Sequence, residues 1–376
     1  MQRTRNPLTR PAMVLAAAAL LLAACGGADA AEETTTTAAP TTTAAPTTTA
    51  ETTTTTTSST STTSTTTTIP TIIRQPLTGE PVAGEADIID RAALVAKIDN
   101  VDARQNHTGL AVADIVFEEI VEGRATRFAA VFHSQSADPL GPIRSGRTQD
   151  IALFSSFNSP LFVWSGGNAG VTRAIDDSTL INMSPNHADG YYRGPGTKPH
   201  NLYNTTDAIW LQTPPDHPGP PTQQYVYLRP EETFAGEPSA GFSASIGSTG
   251  VDWQWNPETG KLDRAQNGTP HVDKTYGQIA ASNVIVMGVQ YQPSPVDARS
   301  PEAQTVGEGP IFVFSDGKFV EGRWKRDVGM YPLEFFDLAG NPIALSPGNT
   351  WIELAEEVAT ADPAKTGVDL VIKPAA

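Results

Sequence analysis

Asp114-Ile-Val-Phe-Glu-Glu-Ile-Val-Glu-Gly-Arg-Ala-Thr-Arg-Phe128 holds two extended runs joined at Gly123-Arg124-Ala125-Thr126. The first, Ile115 to Glu122, and the second, Arg127 to His133, read as a β-hairpin. Side chains alternate along a strand, so Ile115, Phe117, Glu119 and Val121 share one face. Asp114, Val116, Glu118, Ile120 and Glu122 share the other. Glu119 is therefore a carboxylate in an otherwise apolar row. If that row is buried, the group must be paired, hydrogen-bonded or protonated, because an isolated buried charge is strongly disfavoured.

Upstream, Leu94 to Ile98 reads as a short buried strand with Asp99 and Asn100 as a turn behind it, and Gly109 to Asp114 as a helical turn. Downstream, the chain inverts its charge. Arg124, Arg127, Arg144 and Arg147 are accompanied by a single acid, Asp138, although the whole chain carries a formal charge of -16. Gly141-Pro-Ile-Arg-Ser-Gly-Arg147 is a turn into a helix over Thr148 to Phe157, with Ile151, Leu153 and Phe154 on its apolar side. Two readings stay open for the arginines. Arg144, Ser145, Arg147 and the helix start could converge on a phosphate, sulfate or carboxylate, or the arginines could pair with Glu118, Glu119 or Glu122.

Pro160 to Trp164 is a further short strand, opening into Ser165-Gly-Gly-Asn-Ala-Gly170 and a helical stretch with Arg173, Asp176 and Asp177. This glycine turn lacks the Gly-Lys-Ser/Thr ending of a P-loop and the spacing of a dinucleotide fingerprint. Residues 182 to 204 form a long polar loop carrying His187, Asp189, Tyr191, Tyr192, Arg193, His200 and Asn201, a composition typical of functional loops. His187, Asp189 and His200 could ligate zinc, but without a metal-binding spacing no metal is assigned, and no cofactor either. Asn204-Thr-Thr-Asp207 starts another helix.

After the proline-rich stretches Pro214–Pro221 and Pro230–Pro238 the pattern becomes hairpins: Val251–Trp255 with Lys261–Gln266, Ile311–Phe314 with Phe319–Trp324, and Leu333–Leu338 with Ile343–Leu345. Trp253, Trp255, Trp324 and Trp351 suit a core better than a sugar-stacking face. The expected fold class is α+β: a layered sheet/helix N-terminal domain over 75–230 and a smaller β-rich C-terminal domain over 236–376.

The N-terminus fixes the compartment. Arg3, Arg5 and Arg10 precede an apolar run, Met13 to Leu22, too short for a mature membrane span and right for a signal peptide over 1–24. It closes on Leu22-Ala-Ala-Cys25, the bacterial lipobox pattern, with Cys25 the only cysteine. Lipidated there, the chain is extracytoplasmic and held to the bacterial cell membrane, with no thiol left for a disulfide or catalysis. Residues 25–74 form a tether in which 24 of the 38 residues from Thr34 to Thr71 are Thr, with too little apolar content for a core. So acidic a chain is a poor general partner for nucleic acid.

Three tokens of penicillin-binding enzymes occur: Ser315-Asp-Gly-Lys318, Ser156-Phe-Asn158 and Lys365-Thr-Gly367. Their order is wrong, and Ser315 falls in a predicted turn instead of opening a helix. Acid–base chemistry on glycans would have to come from carboxylates such as Glu119 and Glu122.

The hairpin segment Asp114–Phe128, followed by Gly-Pro-Ile-Arg-Ser-Gly-Arg147, Lys-Pro-His-Asn-Leu-Tyr203, Gly268-Thr-Pro-His271, Gly322-Arg-Trp-Lys325 and Pro347-Gly-Asn-Thr-Trp-Ile352, resembles the YerB-like family of bacterial lipoproteins over residues 76 to 355. Gly146 stands where that family's pattern has alanine, and no histidine precedes the Trp164 loop. The resemblance implies a two-domain α+β and β-rich organisation and no particular activity. Its motifs mark Glu119, Glu122, Arg127, Arg144, Ser145, Arg147, His200 and Asn201. The leading expectation is an envelope lipoprotein binding an anionic or glycan-derived ligand through Arg127, Arg144, Ser145, Arg147, His200 and Asn201. The alternatives are a cell-wall polymer hydrolase or transferase using Glu119 or Glu122, and a protein-binding scaffold presenting its C-terminal sheet.

Overall fold

The computed structural model describes residues 71–101, 106–357 and 368–375. The signal segment, Cys25, the tether as far as residue 70 and the Lys365-Thr-Gly367 token lie outside them. The hairpin forms as expected: β2 (Ile115–Ile120) pairs antiparallel with β3 (Thr126–Phe132), setting Glu119 opposite Arg127. β3 pairs in turn with β1 (Leu94–Asp99), which sets Asp99 opposite Arg127. Gly123 makes the turn in the left-handed region, at φ 69°, where a glycine carries no steric cost.

Beyond β1 the sheet continues in parallel through β4 (Leu161–Val163) and β5 (Ile181–Asn182). On the far side of β2 lies a strand from the other end of the chain. Thr350–Glu356 pairs parallel with β2 and, across its other edge, parallel with Asn283–Val289. The sheet then runs on through Gly307–Ser315 and Lys318–Arg326 into the meander Glu237–Ile246, Thr249–Asn256 and Lys261–Gln266. The two sequence halves thus share one sheet, joined through a strand more than two hundred residues after the hairpin it pairs with.

All residues of β1, β2 and β3 are buried, because both faces of the sheet are covered. One face (Val95, Phe117, Ala129, Val131) packs on Leu153, Phe154 and Phe157 with Val171 and Ile175. These come from α1 (Gln149–Phe154), the residues just after it, and α2 (Ala169–Asp176). The opposite face (Ala96, Val116, Phe128, Ala130) packs on Phe242, Val251, Trp253 and Leu262 of the meander. The β-rich C-terminal part is as expected. In the N-terminal part the layering is only half helical: α1, α2 and α3 (Thr206–Trp210) are short, and strands cover the second face. α2 is capped by Asn168, which accepts from the Val171 N–H, and α3 by Thr205, which accepts from Ala208.

The expected hairpin of Leu333–Leu338 with Ile343–Leu345 forms in part, through the antiparallel Phe336–Pro342 bridge and the Ile343 N–H bond to the Phe335 carbonyl at 2.8 Å, while Glu334–Asp337 also pairs with Lys318–Arg326 and Leu345 exchanges backbone hydrogen bonds with Val226 and Leu228. Trp253, Trp324 and Trp351 are buried core residues, which removes them from any sugar-stacking face.

Candidate functional site

Because β2 is buried on both faces, it carries two buried carboxylates pointing opposite ways, and each has been given its own cation. On the helical face Glu119 ion-pairs with Lys97 of β1 and accepts from Gln149 of α1. Lys97 also binds Asp150 at 2.9 Å, and Asp150 accepts the Arg147 backbone N–H at 2.7 Å. Burial pulls the Lys97 ammonium down to about 8, against the pull of Asp150. It is still protonated at neutral pH, as a cation between two carboxylates should be. The Gln149 and Asp150 contacts fix the helix that the Gly141–Arg147 turn feeds, so the buried network positions the arginine segment above it.

On the meander face Glu118 accepts from Arg264 Nη2 and Thr126 Oγ1. It also accepts from Asn100 Nδ2 at 3.2 Å. Arg264 is sealed among Phe128, Trp253 and Trp351, with its Nε 3.6 Å from Glu353. Burial and the neighbouring Glu118 charge push the Glu353 carboxyl well above its ordinary range. Arg264 Nη1 donates to His271 Nδ1 at 2.6 Å, His271 Nε2 meets His107 Nδ1 at 2.8 Å, and His107 Nε2 reaches the Asp99 carbonyl at 2.5 Å. An arginine can only donate. The chain therefore runs one way, with both imidazoles neutral and carrying their proton on Nε2. Burial holds His107 down to about 4 and His271 well below its ordinary value.

Between these two networks lies the arginine segment. Arg144 and Arg147 sit on either side of Ser145 and Gly146. Arg144 Nε is 3.4 Å from Asp99 Oδ2, and the same oxygen takes the Nδ1 of His200. Arg147 is forked onto Glu122, whose oxygens also accept from Ser300. Although burial opposes it, this bonding holds the Glu122 carboxyl down to about 2. Arg127 is buried behind them. Its Nη1 donates to the Ser145 carbonyl at 2.9 Å, its Nε has no partner, and among the described residues no carboxylate lies within ion-pair distance. Burial first, and then the Arg147 and Arg144 charges, pull its guanidinium down to about 10.

Two cavities flank this ledge. One of about 250 Å³ is lined by Asp99, Asn106, His107, Pro142, Thr197 and His200. The other, about 510 Å³, is lined by Ser145, Arg147, Gly166, Gly167, Asn168 and Arg299, among other residues. The glycine turn Ser165–Gly170 therefore shapes a groove wall and caps α2. Gly146 lets the ledge lie flat on the rings beneath it, since a Cβ there would come within 2.9 Å of Phe162 and Trp164.

Of the sequence-predicted residues, the structure gathers Arg127, Arg144, Ser145, Arg147 and His200 at one ledge, with Glu122 on its rim. Glu119 lies inside the protein, fully buried, with no access to the grooves. Asn201 lies beside His200 but spends its side chain on the loop: Nδ2 donates to the Gly194 and Gly196 carbonyls, and Oδ1 accepts from Arg193. His187 bonds Ser184 while His200 bonds Asp99, and no metal-ligating cluster occurs among the described residues. Sequence reasoning missed Lys97, Asp150, Arg264, His271 and Glu353. It also took Asp99 and Asn100 for a turn. Asp99 instead ends β1 under His200, and the buried Asn100 amide bonds Glu118, Thr126 and Gln266. The available signals were a lysine in the middle of Leu94–Ile98 and an arginine on the inward row of Lys261–Gln266.

The chain matches the family described as "Protein of unknown function (DUF3048) N-terminal domain" over residues 77–218 and its C-terminal domain over 242–352. It is 25% identical over 306 residues to "Putative lipoprotein YerB" of Bacillus subtilis (strain 168), covering 78% of this chain and 89% of that protein. The crystal structure of the Bacillus subtilis YerB protein superposes with a TM-score of 0.66 at 22% identity, over 80% of this chain and 99% of that one. That likeness shows a shared fold.

Proposed function

Starting from the premise that the chain belongs to the DUF3048 family, both of whose domains it carries, we propose that it is an envelope lipoprotein binding an anionic or glycan-derived ligand at the arginine ledge. Cys25 would carry the lipid and the Thr-rich tether would hold the binding unit off the membrane. The observation that carries the reading is Arg127. A buried guanidinium with an unpartnered Nε and, among the described residues, no carboxylate of its own, flanked by two further arginines, is a set of donors short of an acceptor. Among the described residues, Asp99 and Glu122 are the carboxylates that ion-pair with the ledge guanidiniums, so three guanidiniums face two carboxylates there. Ser145, Ser165, Asn168 and the Gly166–Gly167 backbone supply the neutral hydrogen-bonding groups that sugar hydroxyls need.

Neither carboxylate of the enzymatic alternative is suited to proton exchange. Glu119 is sealed, and Glu122 stays ionised in the fork of Arg147. A thermal-shift screen of the full chain against phosphate, sulfate, wall-polymer fragments and muropeptides tests the proposal. At 100 times its dissociation constant a ligand adds about 2.7 kcal/mol of stability. That gain should vanish in Arg144→Ala/Arg147→Ala. No shift with any ligand, or one that survives the double substitution, would refute the reading.

A further inference from the structure

A further cavity is remote in sequence from the ledge and belongs to neither buried network. It has a volume of about 540 Å³ and is formed by Gln223–Val226, Arg326, Asp327, Tyr331–Phe336 and Pro342–Ile343. Its lining sets the apolar side chains of Tyr225, Leu333, Phe335 and Ile343 beside the polar Gln223, Gln224, Asp327 and Glu334. Tyr225 stacks on Phe335 at 5.3 Å, with Leu333 and Ile343 beside them, and Val226 and Tyr331 stand exposed at the rim. A single cation is built into this lining. Arg326 is 1% exposed, its Nε donates to the Tyr331 carbonyl at 2.7 Å, and its Nη2 donates to the Gly329 carbonyl and reaches Ser156 Oγ at 3.5 Å.

Those contacts engage Nε and Nη2 and leave Nη1 with no partner. Among the described residues no carboxylate pairs with Arg326. Asp327 leans on Lys325 at 3.3 Å, and Glu334, though it lines the cavity, is outside ion-pair distance. A buried cation held only by neutral carbonyls and a hydroxyl is unusual, since burial of a charge is normally compensated by a counter-charge. Burial does pull this guanidinium down, to about 10, yet it remains charged at neutral pH.

We propose that this cavity binds a small monocarboxylate with an aromatic or branched apolar body, the carboxylate pairing with Arg326 and the body packing between Tyr225, Phe335 and Ile343. The charge complementarity sets the head group and the lining sets the tail. The volume admits a molecule of one or two rings and excludes a folded polymer.

Isothermal titration of the full chain with phenylacetate, against phenylacetamide as its neutral counterpart, tests this. The account expects one site per chain and at least about tenfold weaker binding of the amide, because a site built for a charged acceptor discriminates by that order. Val226→Trp, a change at an exposed position on the rim, should abolish phenylacetate binding without touching Arg326. Arg326→Lys should weaken it by keeping the charge and losing the fork. Arg144→Ala/Arg147→Ala should leave it unchanged. Equal affinity for acid and amide, no binding of either, or loss of binding in Arg144→Ala/Arg147→Ala with Val226→Trp unaffected would each overturn the proposal.

Discussion

Removing the Lys97 ammonium should be the most damaging single change in the helical-face network, and its damage should depend on pH in a defined direction. Lys97 and Glu119 are both fully buried, and Asp150 shares the same cation at 2.9 Å. Lys97→Met leaves two fully buried carboxylates without the ammonium that pairs with both. Breaking a buried pair in this way costs about 3–5 kcal/mol, and the second carboxylate places the expectation at the upper end. Glu119→Leu is milder, because Lys97 keeps Asp150. The double variant Lys97→Met/Glu119→Leu should lose less than the sum of the singles, since it removes one orphaned charge together with its partner. The pH dependence follows from linkage. Without the cation, the buried carboxyls of the folded variant are driven to hold a proton that the unfolded chain gives up near its ordinary value of about 4. The deficit of Lys97→Met against wild type should therefore be small near pH 4 and widen as pH rises toward neutrality. The limiting slope is about 1.4 kcal/mol per pH unit for each carboxyl that stays protonated. Urea unfolding of both proteins at pH 4.5, 5.5 and 7 measures it. A deficit under about 1 kcal/mol, or one that does not change with pH, would refute the argument that this ion network holds the sheet to α1.

Ring titration of His107 and His133 by NMR should give values of about 4, because burial disfavours both imidazolium forms. Their contribution to stability is then intact above the unfolded value of about 6.5 and is lost as pH falls from there toward 4; titration of His107 near 6.5 in the folded protein would contradict the neutral Arg264–His271–His107 chain, and of His133 its burial. Gly146→Ala should cost roughly 1–3 kcal/mol in urea unfolding, since its methyl meets the Phe162 and Trp164 rings at 2.9 Å, and it should weaken anion binding by shifting the ledge; a variant as stable as wild type would show that the rings give way freely. Arg264→Met should destabilise by about 3–5 kcal/mol by orphaning Glu118, whereas Arg299→Ala, an exposed change on the groove rim, should stay within about 0.5 kcal/mol; equal effects would refute the buried role of Arg264.

Much of the fold could be read in the chain because its local signals agree with the final packing. Turn chemistry at Gly123 and Asn256–Gly260 set hairpins, and Thr205 and Asn168 capped the helices that follow them. The charge of Glu119 forced the inference of a partner, which the structure supplies. The identity of that partner was hidden, because Lys97 lies on β1 and meets Glu119 only once β3 has paired with both strands. Glu118 was harder still. Alternation alone assigned it to the other face without saying that this face is also buried, and the covering layer comes from residues more than a hundred positions away. The same distance concealed the insertion of Thr350–Glu356 beside β2. Of the ledge, the arginine density and the Gly141–Arg147 turn were visible locally. The distribution of their charges was not, since Asp99 and Glu122 claim Arg144 and Arg147 and leave Arg127 unclaimed.

The claim that matters most is that a ligand engages this ledge, and the guanidinium signals of Arg127, Arg144 and Arg147 report it directly. With the strongest ligand from the thermal-shift screen titrated into the full chain, the account predicts saturable NMR shifts of the Arg127 and Arg144 Nε–H resonances, with His200 following in step. Saturable binding that leaves all three arginines and His200 unmoved would contradict it.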